Sequence, residues 1–158
     1  MFGSMSSTRI LSALTIASIL AFLPQPSKAQ ALAKVMSVRC KFSLMAASNL
    51  RNDPPTAEIK PTSFDLQFEN INADEGTAQL KAEMGTGVYD IIVRYAQPYL
   101  NFIQQFREGK VYVTTILEQK TKAGKFKAIH SRHEFTAVAL PGFTSSPEQY
   151  YGDCEVLN

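Results

Sequence analysis

The chain has 158 residues, with 16 basic and 14 acidic side chains, two histidines, two cysteines and no tryptophan. The excess of base lies in residues 1–29, which hold Arg9 and Lys28 and no acid, so residues 30–158 carry no net charge. That balance argues against a globally basic nucleic-acid-binding domain, and residues 30–158 are enough chain for one real core.

At the N-terminus, Arg9 precedes the apolar run ILSALTIASILAFL (10–23), and Pro24, Pro26 and the small residues Ser27 and Ala29 follow it. This order predicts a secretory signal peptide over 1–29, cleaved after Ala29. The run is short of the roughly 20 apolar residues that cross a bilayer, which disfavours the alternative of an uncleaved anchor helix. The expected localisation is therefore secreted or periplasmic, with no transmembrane segment after cleavage.

The rest of the chain reads as strand after strand. Residues 35–45 place Val38, Cys40, Phe42 and Leu44 on one face, with Arg39, Lys41 and Ser43 on the other. Residues 62–70 alternate Phe64, Leu66 and Phe68 with Asp65, Gln67 and Glu69, and residues 77–84 continue the pattern with Ala78, Leu80, Ala82 and Met84. Period-two alternation of this kind predicts half-buried antiparallel strands. Further strands are predicted at 88–96, 99–106, 111–120, 125–135 and 149–156. Turn signals separate them at 72–76, 85–87, 97–98, 107–110 and 122–124, where glycine and proline interrupt the pattern. Two connections are expected to be long. One is 46–61, loop-like because of Asp53-Pro54-Pro55, with room for a helical turn near Ala46. The other is 136–149, where Ser146-Pro147-Glu148 suggests a cap and a proline at the first position of a helical turn.

Eight antiparallel strands in sequence order leave two raw edges unless the sheet closes. Cys40 falls on the first strand and Cys154 on the last. In an oxidising compartment an even pair of cysteines predicts a disulfide, and that bond requires the two strands to lie side by side. The expected fold is all-β: residues 30–158 as one antiparallel eight-stranded meander closed into a small β-barrel, with a β-sandwich as the alternative. Strand number and meander order resemble the lipocalins in architecture only, since without tryptophan the Gly-x-Trp signature of their first strand is absent. The predicted inward aromatics are Phe42, Phe64, Phe68, Tyr89, Tyr95, Phe102, Phe106 and Phe126, and a packed aromatic core competes with a ligand cavity as their purpose.

The segment FKAIHSRHEF (126–135) holds both histidines. On a strand, Phe126, Ala128, His130, Arg132 and Glu134 share the inner face, while Ile129, Ser131 and His133 share the outer one. Opposite faces deny the two histidines a common metal ion, and no metal or cofactor is expected. His130, Arg132, Glu134 and Tyr150 are the candidate ligand-binding residues: the guanidinium would fix an anionic group at the polar end of an apolar pocket. The competing account is a buried structural network in which Glu134 neutralises Arg132, with Asp153 or Tyr150 nearby. Lys120, Lys122, Lys125 and Lys127 around Gly124 form a candidate surface for a protein or polyanion, set against an ordinary solvated hairpin tip. An enzyme using His130 and Arg132 has thin support, because Ser131 points away from both flanking histidines and no nucleophile–base pair emerges. The expected role is a non-catalytic module binding a small amphipathic or anionic ligand, or an envelope component.

Overall fold

A computed structural model describes residues 31–81, 87–135 and 146–157. The predicted signal peptide and the segment before the last strand, from 136 to 145, lie outside the described residues, as do Ala82 and Met84. Eight strands follow one another: β1 (Val38–Asn49), β2 (Thr56–Asn72), β3 (Thr77–Lys81), β4 (Val88–Ala96), β5 (Tyr99–Gln105), β6 (Val111–Lys120), β7 (Phe126–His133) and β8 (Glu148–Val156). Each pairs antiparallel with its sequence neighbours, and β1 pairs with both β2 and β8, so the meander closes into a ring.

Closure is pinned from inside. Cys40 and Cys154 face each other in the β1–β8 ladder with Cα atoms 4.0 Å apart, and they form a disulfide with both residues fully buried. The bridge spans 114 residues. Chain entropy assigns such a cross-link roughly 4–5 kcal/mol.

The alternation predicted for β1 breaks at one point. The register with both neighbours shifts between Phe42 and Leu44: against β8 Ser43 is an extra residue, against β2 the extra residue lies on β2, and the inside–outside order of β1 reverses there. Phe42 is 2% exposed and Met45 8%, whereas Leu44, expected inside, is 40% exposed. Gly152 of β8 sits opposite Phe42 at this bulge, and a Cβ there would lie 1.9 Å from the carbonyl oxygen of Lys41. The two backbones approach too closely for any side chain at that position.

The first predicted connection is corrected. β1 runs on to Asn49 and β2 begins at Thr56, so only residues 50–55 turn, around a cis Asp53-Pro54 bond. Residues 56–61 are exposed on both faces, and Ile59 is 73% exposed. A strand with no buried face has no reason to alternate, which is why this arm reads as loop. The helical turn expected at 146–148 is absent as well: Glu148 already belongs to β8 and pairs with Arg132 and Ala47.

The interior is layered. The end of the ring where β1 starts and β8 finishes, here the lower end, holds the apolar core: Val38, Phe68, Val93, Leu100, Phe102 and Ile116 around the disulfide. Phe68 and Phe102 stack with centroids 4.0 Å apart. Leu32 and Val35, from the turn preceding β1, are buried in the same cluster and help close this end. The Leu32 amide donates to Glu118 Oε1 at 3.4 Å, and the Tyr95 hydroxyl donates to the same oxygen at 3.1 Å. Among the predicted inward aromatics, Phe42, Phe68, Phe102 and Phe126 are buried, while Phe64, Tyr95 and Phe106 are half-buried. Tyr89 is 55% exposed, because it sits at the upper end of β4, beyond its last pair with β5.

The outer surface is a lattice of polar cross-strand pairs. Arg39 Nη2 donates to Gln67 Oε1 at 2.9 Å, Gln79 Nε2 to Asp90 Oδ1 at 3.0 Å, and the Thr115 hydroxyl to Asn101 Oδ1 at 2.8 Å.

Substituting Gly152→Ala forces the Phe42–Leu44 bulge apart. The expected loss is roughly 1–3 kcal/mol, in line with overpacking of a filled interior, read from the urea midpoint of the oxidised protein. An unchanged midpoint would show that β1 moves aside freely.

Candidate functional site

The upper interior is built from two rungs that the strand register lays directly across β6, β7 and β8. In one, His130 lies opposite Thr114 and Tyr150; in the next, Arg132 lies opposite Tyr112 and Glu148. Residues of one rung share a face, so six chemically active side chains converge from three strands.

His130 is 1% exposed. Its ring lies 5.4 Å from Phe64, 5.7 Å from Tyr150, 5.8 Å from Phe42 and 5.9 Å from Tyr112. Nδ1 is 2.8 Å from the Thr114 hydroxyl, and Nε2 accepts a long hydrogen bond of 3.4 Å from Arg132 Nε. A guanidinium only donates, so Nε2 must carry the lone pair and Nδ1 the proton. Burial, reinforced by the neighbouring Arg132 charge, lowers the His130 pKa to about 3. The ring is thus neutral at ordinary pH, and its one basic nitrogen is already engaged.

Arg132 is wrapped by aromatic faces. Its guanidinium carbon lies 4.7 Å from the Phe64 centroid, 5.0 Å from Tyr150 and 5.4 Å from Tyr112. Desolvated contacts of this kind are each worth about 1–2 kcal/mol. Nη1 is 4.0 Å from Glu148 Oε2, an oxygen that also accepts from the Tyr150 hydroxyl at 2.5 Å. Glu134, 6% exposed, accepts from the Tyr112 hydroxyl and lies 3.7 Å from Lys110 Nζ. Burial, then the bond to Glu134, pushes the Tyr112 pKa up to about 12; burial, then Glu148, raises that of Tyr150. Both phenols therefore stay protonated and act as donors. Two cations face two carboxylates, so the cluster balances its own charge.

All four sequence-derived candidates, His130, Arg132, Glu134 and Tyr150, meet in this cluster, but two expected partnerships are replaced. Glu148, not Glu134, stands beside Arg132, and Asp153 faces outward to Lys125 at 3.6 Å. Sequence reasoning missed Tyr112, Thr114, Phe64 and Glu148 as members. The first two are legible in hindsight as the polar positions on the inner face of VYVTTI, Thr114 directly across from the histidine and Tyr112 one rung from it.

The Arg132 side chain is 20% exposed and lines an opening of about 240 Å³ with Ala47, Ala57, Pro147 and Glu148. A larger cavity, about 730 Å³, lies on the far side of the ring between the upper ends of β4 and β5, and does not include Arg132. Volume alone would select the second; the concentration of buried polar chemistry selects the first.

The lysine cluster is partly spoken for. Lys125 lies 3.6 Å from Asp153 and 3.5 Å from Glu155, Lys120 sits 5.0 Å over the Phe126 ring, and Lys127 Nζ donates to Gln119 at 3.4 Å. Lys122 stands exposed at the hairpin tip. Ser131 accepts from Gln149 Nε2 on the outer face, at 3.3 Å, and bonds neither histidine. Among the described residues, no group of three or more His, Cys, Asp or Glu is placed to hold a metal ion.

The His130 environment makes stability depend on pH in a defined direction. Its folded pKa is about 3, below the unfolded value near 6.5. The unfolded chain therefore takes up a proton first, and stability is full above that unfolded value and falls as pH drops towards 3. Between pH 6.5 and 5 this single group removes about 2 kcal/mol. Denaturant unfolding at pH 7 and pH 5 should show a loss larger by about that amount in the wild type than in His130→Gln. Equal losses would mean that His130 is solvated.

Comparisons with protein-family models, with curated proteins and with solved structures found no match to this chain.

Proposed function

We propose that the protein is an extracytoplasmic, non-catalytic module, a small β-barrel whose upper mouth receives a small amphipathic or anionic ligand at Arg132. The reading rests on one observation. A guanidinium is held among three aromatic rings, with one carboxylate in ion-pair range among the described residues, at a contact as long as 4.0 Å, while it lines an opening to solvent. A carboxylate or phosphate entering there would gain charge-assisted hydrogen bonds from an arginine whose side-chain entropy is already spent. Ala47, Ala57 and Pro147 offer an apolar wall beside it.

Two features support the cellular setting. The buried disulfide is the kind of bond that forms and persists in oxidising compartments. The outward polar lattice suits a ring surrounded by water. Catalysis gains no support from the same cluster: the basic nitrogen of His130 is occupied by Arg132, and its protonated Nδ1 faces the Thr114 hydroxyl, from which it cannot take a proton.

Protein recovered from the extracytoplasmic fraction should carry a small molecule visible by native mass spectrometry. Arg132→Ala leaves Glu148 without its cation and risks unfolding; Arg132→Lys keeps the charge but loses the planar fork. Both should release the bound mass, with folding checked by circular dichroism. An empty wild-type protein, or a bound mass that survives in both variants, would overturn the assignment.

A further inference from the structure

The β4–β5 ladder is incomplete. It runs from Ala96↔Tyr99 up to Ile92↔Ile103 and stops there, although β4 reaches up to Val88 and β5 to Gln105. Both strands remain paired on their other sides at these heights, β4 with β3 through Lys81↔Val88 and β5 with β6 through Gln105↔Val111. The ring is therefore split along one seam at its upper end, and the split forms the cavity of about 730 Å³. That volume falls within the range of sites for small organic ligands, roughly 300–1,000 Å³.

The chemistry of the walls is divided. Tyr89, Ile91, Ile92, Ile103 and Phe106 supply an apolar lining. Tyr89 and Ile92 are 55% and 43% exposed, so two of the large exposed apolar side chains gather at this one place. Gln104, Gln105 and Arg107 stand on the β5 side of the same cavity. Among the described residues none of these three side chains has a hydrogen-bond or ion-pair partner. Asp90, the acid on the opposite wall, already accepts from Gln79 Nε2 at 3.0 Å on the outer surface. The contrast with Arg132 is direct: that guanidinium is enclosed by rings and flanked by Glu148, whereas Arg107, at the rim of an apolar cleft, has no partner among the described residues.

We propose that this seam is a second binding site, for an anionic amphiphile whose apolar tail lies between β4 and β5 and whose carboxylate or phosphate head is held by Arg107 with Gln104 and Gln105. Charge complementarity fixes the sign of the head group, and the length of open strand fixes where the tail lies. The seam shares no lining residue with the Arg132 opening, and β6 on one side and β3 on the other separate the strands that line the two. Each site therefore stands or falls separately.

Isothermal titration with decanoate and with decyl phosphate, using decanol and inorganic phosphate as controls, tests the assignment on the full chain. One or both charged amphiphiles should bind, and whichever binds names the head group. Arg107→Glu should weaken binding by roughly tenfold or more, the scale of one charge-assisted hydrogen bond, and Ile92→Asp should weaken it comparably by charging the wall. Arg132→Lys should leave the Arg107-dependent component of the binding unchanged. No binding of either charged probe, binding as tight for decanol, or binding insensitive to Arg107→Glu would each overturn the site. Loss in Arg132→Lys with retention in Arg107→Glu would move the amphiphile to the Arg132 opening instead.

Discussion

To close a meander, the first strand must accept two neighbours at once. Here that demand falls on β1, and it is met by a cross-strand cystine facing inward together with a glycine facing a bulge. Cys40 and Cys154 hold the two strands at a Cα separation of 4.0 Å. Two residues along each strand, Gly152 lets the backbone of Lys41–Phe42 come within a distance that no Cβ tolerates. The extra residue Ser43 then rotates the upper part of β1, so that Met45 replaces Leu44 inside. The register on both sides of β1 follows from this joint, and the rungs of the upper cluster inherit their alignment from the β7–β8 and β6–β7 ladders that it completes.

The interior obeys a simple division of labour. Aliphatic and phenylalanine side chains fill the lower part, and the segment before β1 helps cover that end. Towards the upper end the polar groups are buried deeply enough to need partners, and most find them across one strand pair. Leaving a buried polar group unpaired costs about 1–3 kcal/mol, so a network with two carboxylates, two cations, two phenols and a neutral imidazole survives only if nearly every member is satisfied. The tautomer of His130 follows from this accounting: Arg132 can only donate, so the imidazole must accept at Nε2 and donate at Nδ1.

Much of this was legible in the chain because half-buried strands leave a period-two trace. β3 to β8 fall within a residue or a few of their predicted bounds, and the inward placement of His130, Arg132 and Glu134 follows from parity alone. Parity fails in three identifiable ways. At Ser43 a bulge shifts it, and nothing in the residue types announces the shift except a glycine on a strand 109 residues away. In 56–61 both faces meet water, so there is no contrast to read. At Tyr89 the parity is right, but the strand has outrun its neighbour and the side chain is left exposed. Partner identity was less legible than orientation: Glu148 beside Arg132 depends on the β7–β8 register, and a shift of two residues would have put a different side chain there.

The placement of the cystine also governs what breaking the backbone can do. Nearly all of the ring lies between its two halves in sequence, and the exposed arm at 50–61 is the part that offers itself to a protease. A single cut there yields two polypeptides that remain one covalent molecule, with the short N-terminal piece still carrying β1 in its slot between β2 and β8. Such nicked protein would run as a single band until a reductant is added, and only then fall into two.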